Sequence, residues 1–315
     1  MKVVVPEKIS APGLKVFTDA GFEVVQLLPA SAANGELARA LADADALVVR
    51  SAVQVTPDLI AAAPRLRVIG RAGVGVDNVN VAAASARKIV VMNTPGGSSV
   101  AVAELALGLM LALARHIPRA DATMHAGKWE KKALEGTELM GKTLGLVGCG
   151  RIALAVGQRA AAFGMRLLAY DPAQPMQAAR QSGIELVDWP QLLARSDYLS
   201  LHLSLTGSSR NLLNDAAFAA MKPGVRVVNC ARGEVIDEDA LLRALASGQV
   251  AGAALDVYRK EPPPPDAPLL HDERILAMPH IGASTREAQE RVGIAIAEQI
   301  RDFLLAGKLA NAVNA

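Results

Sequence analysis

The 315-residue sequence predicts an α/β protein of two domains, each a parallel sheet with helices on both faces. Three observations carry that expectation. The chain is too long for one core of usual size, at about 100–200 residues per domain. Short aliphatic runs alternate with Ala/Leu-rich segments of helical period. The alternation then starts again after a long apolar helix near residue 110.

In order along the chain, residues 3–5, 46–49, 67–69 and 89–91 are rich in Val, Ile and Leu and read as buried strands. Residues 13–20, 35–42 and 81–87 lie between them with helical spacing. Residues 100–115 form a helix with almost no polar face, which predicts burial between layers or subunits. Strand runs recur at 143–147, 166–169, 198–201, 225–229, 253–255 and 275–277. Pro262 to Pro265 can be neither helix nor central strand and must form an extended surface loop. Ser284, with Glu287 three residues on, predicts a capping box ahead of a helix over 285–305.

Composition excludes several classes. Hydrophobic residues are 51% and charged ones 20%, so the chain is not disordered. A net charge of +2 from 33 basic and 31 acidic residues points to neither nucleic acid nor a membrane surface. Two cysteines, Cys149 and Cys230, make neither a disulfide framework nor a metal cluster. The longest apolar stretch is broken by Glu104, and the start has no apolar leader, so a soluble cytoplasmic chain is expected.

The strongest local motif is Gly148-Cys149-Gly150-Arg151-Ile152-Ala153, directly after the strand ending at Val147. It fits G-x-G-x-x-G/A at a strand-to-helix turn. The first glycine permits the tight turn, the second admits a pyrophosphate, and the small third residue lets helix and strand pack closely. Asp171 closes the next strand, 21 residues after Gly150, where a carboxylate holds ribose hydroxyls and repels a 2′-phosphate. This predicts a Rossmann-like dinucleotide site that prefers NAD.

Arg232, Glu261 and His280 each lie just past a predicted strand, at the end where open α/β sheets build their sites. Oxidising a hydroxy acid needs a base for the hydroxyl proton, and His suits that near neutral pH. It needs a cation to hold the carboxylate, which the planar Arg fork does well. A carboxylate beside the His orients it and favours its protonated form.

GCGRIA (148–153), YDP (170–172), NCARGEVIDEDAL (229–241), ALDVYRKEP (254–262) and PHIGAST (279–285) together resemble the D-isomer-specific 2-hydroxyacid dehydrogenases. GRAGVGVDN (70–78), VMNTPGG (91–97) and GKWEKK (127–132) bring the likeness close to the members that oxidise 3-phosphoglycerate. The resemblance spans essentially the whole chain. It implies two Rossmann-like parallel-sheet domains with an interdomain active-site cleft. The first would bind substrate and comprise residues 1–97 plus 285–315; the second, 98–284, would bind NAD. It implies Arg232, Glu261 and His280 as catalytic residues, with His280 as general acid and base. Cofactor contacts would come from Val74, Gly148, Gly150, Arg151, Ile152, Asp171, Leu203, Ser204, Cys230, Ala231, Arg232, Asp256, His280 and Gly282. Substrate contacts would come from Arg50, Ser51, Arg71, Gly75, Arg232 and His280. It also implies a homodimer or higher homo-oligomer through the NAD-binding domain, with the segment around Lys128 as an arm, and no metal, nucleic-acid or membrane partner.

The chain departs from the family pattern at Ala153, at Leu203-Ser204 where Thr-Pro is frequent, at Val53-Gln54 where Thr-Lys is frequent, and at Ser98 where Asn is usual. The last two fall on the substrate side. A catalytic core without a C-terminal regulatory domain is expected. Cys149 and Cys230 read as small buried residues, His202 as packed at a strand end, and His271 as surface. His116 and His125 flank the basic segment. Two other functions fit the motifs: a glyoxylate or hydroxypyruvate reductase, and an NAD-sensing, co-repressor-like binding protein. A formate dehydrogenase fits less well, because Pro279 precedes His280.

Overall fold

Runs such as Val3-Val4-Val5 are stiff at χ1 and apolar on both faces, so they pair where helices cover them above and below. In the computed structural model, which describes residues 1–27, 35–171 and 182–315, these runs build two all-parallel sheets. The chain divides into two compact units, residues 1–98 with 283–315, and residues 99–282.

The first unit begins β1 (Lys2–Val5), α1 (Ala11–Asp19), β2 (Glu23–Gln26), α2 (Glu36–Leu41) and β3 (Ala46–Val49). It continues with α3 (Pro57–Ala61), β4 (Val68–Arg71), α4 (Val81–Ala86) and β5 (Val90–Met92). Its sheet order is β2-β1-β3-β4-β5. Strand β2 escapes the sequence pattern because it is an edge strand of sequence EVVQ with no fully buried residue. Helix α1 starts where Ser10 accepts from the Gly13 N–H, and α4 where Asn80 accepts from the Ala83 N–H.

The second unit opens with α5 (Ser99–Arg115), whose Ala103, Ala106, Met110 and Ala114 are fully buried against Leu144, Leu146 and Val228. This accounts for its missing polar face. Helix α6 (Ile117–His125) follows after a 64° bend. Among the described residues no single helix is long and apolar enough to cross a membrane. Next come β6 (Thr143–Val147), α7 (Arg151–Ala162), β7 (Arg166–Tyr170), β8 (Glu185–Leu186), α8 (Trp189–Arg195) and β9 (Tyr198–Leu201). The unit ends with α9 (Asp215–Ala219), β10 (Val225–Asn229), α10 (Glu238–Ala246), β11 (Val250–Leu255) and β12 (Ile275–Ala277). The sheet order β12-β11-β10-β9-β6-β7-β8 reverses direction between β6 and β9, the switch point where such sheets open a crevice.

Helix α11 (Arg286–Ala306) then completes the first unit. Its Val292, Ile296 and Ile300 join Val3, Phe17 and Val68 in one core, each large side chain worth about 1.5–3 kcal/mol when fully buried. The cap expected at Ser284 is corrected by one residue. Thr285 is extended and its Oγ1 accepts from the Ala288 N–H at 3.1 Å, so Ser284 lies outside the first turn. Beyond α11, Ala312 bridges antiparallel to Met92 and covers the β5 edge.

Candidate active site

The residues singled out in the second unit collect at the carboxyl end of its sheet: after β6 (Gly148), β7 (Asp171), β9 (Leu203, Ser204), β10 (Arg232), β11 (Asp256, Glu261) and β12 (His280). Of the YDP motif, Pro172 lies outside the described residues.

Gly148 turns the chain out of β6 at φ +90°, where a side chain is strained, and its N–H donates to the Tyr170 carbonyl at 2.9 Å. A Cβ there would lie 2.8 Å from the His202 carbonyl oxygen, so the turn sits in the switch point itself. Gly150 is different. It has an ordinary φ of −78°, and a Cβ on it would meet no atom of the described residues within 4 Å. Among the described residues nothing requires glycine there. The free space lies over the N-terminus of α7, whose first-turn N–H groups have no side-chain cap. This is the cradle a phosphate needs. Ala153 is fully buried behind it. The Cys149 N–H donates to Asp171 Oδ2 at 2.8 Å, which ties the glycine turn to the acidic residue.

The acid–base pair is direct. His280 Nδ1–H donates to Glu261 Oε2 at 2.6 Å, and Glu261 Oε1 accepts from the Tyr258 N–H at 3.0 Å. A carboxylate only accepts, so the proton rests on Nδ1 and Nε2 is left to exchange one. The hydrogen bond to Glu261 raises the His280 pKa against the opposing effect of burial and of the nearby Arg232 charge. Burial pushes the Glu261 carboxyl up, but the hydrogen bonds from His280 and the Tyr258 N–H outweigh it and hold the group below its usual value.

Backbone geometry at His280 is held from behind. The residue has φ +53°, uncommon for a non-glycine. The Ile281 and Gly282 N–H groups donate to the two oxygens of buried Asp256, at 2.7 Å each. Burial keeps the Asp256 carboxyl above its usual pKa despite these bonds. Tyr258 adds a second brace: its hydroxyl donates to the carbonyls of Leu255 at 3.3 Å and Met278 at 3.0 Å, tying β11 to the strand before His280.

Arg232 is set by Asn229, whose Oδ1 accepts from the Ala231 N–H at 3.0 Å and whose Nδ2 donates to the Arg232 carbonyl at 2.9 Å. Gly233, next in line, packs onto the backbone of Tyr258 and Arg259. Asn229, Gly233 and Tyr258 all stand inside the family-like motifs, yet their residue types alone signal no role. The two cysteines have no such setting. Burial raises the Cys149 thiol above its usual pKa, with Asp171 adding to it, and pushes the Cys230 thiol well up, with Asp256 adding there, so neither carries a thiolate at neutral pH. His202 is held neutral by burial, its pKa lowered to about 3, and meets Ser200 Oγ through Nε2 at 2.8 Å. His271 is exposed, with Nε2 2.9 Å from the Pro265 carbonyl oxygen. Among the described residues no group of His, Cys, Asp and Glu is placed to hold a metal ion.

The remaining sequence candidates belong to the first unit. Arg50 and Ser51 follow β3, Arg71 ends β4, and Val74 and Gly75 lie in the loop after it, all at the carboxyl edge of that unit's sheet.

The family model for the NAD binding domain of D-isomer specific 2-hydroxyacid dehydrogenases matches residues 107–282, more than half of the chain. The chain belongs to this dehydrogenase family. Its second unit is the NAD-binding domain, and NAD is its cofactor. Among family relatives, the D-3-phosphoglycerate dehydrogenase of Sus scrofa is 47% identical over the whole chain, which spans 58% of that protein's length. A hydroxypyruvate reductase of Thermotoga maritima is 52% identical over 84% of this chain and 86% of its own. The NAD-bound 3-phosphoglycerate dehydrogenase of Entamoeba histolytica superposes with a TM-score of 0.83 at 30% identity, covering 100% of this chain and 99% of that one.

Proposed function

We propose that the chain oxidises 3-phosphoglycerate to 3-phosphohydroxypyruvate with NAD, the first step of L-serine biosynthesis. The 2.6 Å contact between Glu261 and His280, with Arg232 beside them, carries the reading, because it is the apparatus a hydroxy-acid oxidation needs. Identity of 47% to phosphoglycerate dehydrogenases supports the substrate.

In this reading His280 Nε2 takes the proton of the C2 hydroxyl as the C2 hydride departs. Glu261 holds the ring in the Nδ1–H tautomer and stabilises the imidazolium that forms. Arg232 clamps the substrate carboxylate and polarises the forming carbonyl. Gly148, Gly150, Arg151 and Ile152 receive the pyrophosphate, Asp171 the ribose, and Leu203 and Ser204 flank the adenine side. Cys230, Ala231, Asp256 and Gly282, with Val74 of the first unit, line the nicotinamide end. Bound NAD supplies the hydride acceptor. Arg50, Ser51, Arg71 and Gly75 are the proposed contacts for the rest of the substrate, the two arginines facing its phosphate. Exposed Ile117, Met124 and Trp129 support self-association through the second unit, and two unpaired thiols suit the reducing cytoplasm.

The second reading, a hydroxypyruvate or glyoxylate reductase, is favoured by the Thermotoga relative, which this chain matches over most of both lengths. Steady-state rates with 3-phosphoglycerate and glycerate, and with hydroxypyruvate and glyoxylate plus NADH, separate the two. Phosphoglycerate is expected to give the highest kcat/KM. Equal use of glycerate moves the reductase ahead, and no turnover with any of the four leaves an NAD-binding protein of another role.

A further inference from the structure

Within the first unit, one side chain far away in sequence organises the loop after β3. Glu7, two residues beyond β1, sends Oε2 to the Arg50 N–H at 2.7 Å and the Val53 N–H at 3.3 Å, and Oε1 to the Ala52 N–H at 3.0 Å. Asn78 holds the same loop through its carbonyls, donating from Nδ2 to Arg50 at 2.9 Å and to Val53 at 2.7 Å. Both side chains thus converge on four residues that belong to no helix or strand and of which Ser51 and Ala52 are exposed.

Asn78 closes the segment that begins at Arg71. Its backbone carbonyl also accepts from the Val55 N–H at 2.8 Å. The segment is in turn held to the loop after β5, where Asn93 Nδ2 donates to the Val74 carbonyl at 2.6 Å and the Thr94 N–H to the Gly73 carbonyl at 2.8 Å. The loops after β1, β3, β4 and β5 therefore form one hydrogen-bonded body at the sheet's carboxyl edge.

An exposed loop without such bonds would sample many backbone states, and a cation on it would lose affinity by the fraction of time spent elsewhere. A carboxylate taking N–H donors on both oxygens suits this role, since each bond is charge-assisted and the pattern admits one loop conformation. We infer that Glu7 and Asn78 are positioning residues: they hold the Arg50–Val53 loop in the one conformation that presents Arg50 to the substrate's phosphate. The inference rests on the substrate reading above, in which Arg50 meets that phosphate.

The test compares Glu7→Ala, Glu7→Gln and Asn78→Ala with Arg50→Ala and with the Glu7→Ala/Arg50→Ala double variant, in the full chain with 3-phosphoglycerate. Glu7→Ala is expected to raise KM about tenfold with kcat and NADH affinity within about twofold, the split that marks lost substrate binding. Glu7→Gln keeps one acceptor oxygen and falls between wild type and Glu7→Ala. In the Arg50→Ala background, removing Glu7 adds less than about twofold, because the group being positioned is already gone. A role confined to stability lowers the melting temperature and the active fraction, leaves KM unchanged, and adds independently of Arg50; that result overturns the inference. Should Glu7→Ala fail to fold, Glu7→Gln and Asn78→Ala carry the same comparison. If Arg50→Ala raises KM and the positioning variants do not, the inference falls and the substrate reading stands. If Arg50→Ala itself leaves KM unchanged, the inference and the placement of Arg50 at the phosphate both fall, while the substrate is still decided by the rates with the four acids.

Discussion

A Cβ placed on Gly233 would lie 1.9 Å from the carbonyl carbon of Tyr258. The residue after Arg232 therefore packs directly on the backbone whose N–H holds Glu261. The spacing between the proposed carboxylate clamp and the carboxylate that orients His280 is set by main chain against main chain. Gly233→Ala must push those segments apart, at about 2–4 kcal/mol of stability, with turnover falling in the fraction that folds. Thermal melting and kcat check it; an unchanged melting temperature with full activity would show that the two segments slide freely.

Glu261→Gln is expected to lower the His280 pKa, since the bond to Glu261 is the largest cause of its rise. Oxidation needs the neutral imidazole, so wild-type rate falls as pH drops through that raised pKa. In the variant the acid limb moves to lower pH, while the rate on the plateau falls because the imidazolium loses its support. The pH profile of kcat/KM reads the shift; a limb that stays in place or moves to higher pH contradicts the pairing.

Removing His280 itself should be more severe. His280→Ala is expected to reduce kcat about 10²–10⁴-fold, and Arg232→Ala by a comparable factor. NADH titration by fluorescence should find affinity within about threefold of wild type in both, because the proposed pyrophosphate cradle is untouched. Near-normal turnover without His280 would remove it from the chemistry.

Gly150→Ala separates folding from binding. With φ −78° and no described atom near the new Cβ, only the poorer capping by alanine counts, and stability should fall by less than about 1 kcal/mol. The methyl group fills the space proposed for the pyrophosphate, so the NADH Kd should rise about tenfold or more. Unaltered affinity would move the phosphates elsewhere.

Asp171→Asn is expected to narrow the preference for NAD over NADP by about tenfold, since it removes the charge facing a 2′-phosphate. Its bond from the Cys149 N–H can persist through the amide oxygen, which keeps the turn intact. The ratio of kcat/KM for the two cofactors is the readout, and an unchanged ratio would place the discrimination elsewhere.

The parts legible in the sequence are those whose causes lie close together along it or recur at the ends of successive strands. Gly148, Gly150 and Ala153 announce a strand-turn-helix because all three act within a few residues, and Asp171 follows at the end of the very next strand. Arg232, Glu261 and His280 are recognisable because each lies in the loop just past a strand, in a fixed order. Strand β2 was hidden, since two valines between Glu and Gln give no periodicity to read. Glu7 gave no signal because its partners lie more than forty residues downstream. Gly233 and Tyr258 carry no signal of their own in the sequence, because only the approach of two backbones shows what they do.

Helix α11 also sets the order in which the chain can finish folding. Residues 99–282 are contiguous, so the core of that unit can close as soon as they are made. Val3, Phe17 and Val68 do not, because their cover arrives with Val292, Ile296 and Ile300. At about 5–20 residues per second, ribosomal synthesis leaves that apolar face bare for on the order of ten seconds or more. Val3, Phe17 and Val68 are thus buried only after residues 99–282 have been made, and until then their apolar face is open to chaperones.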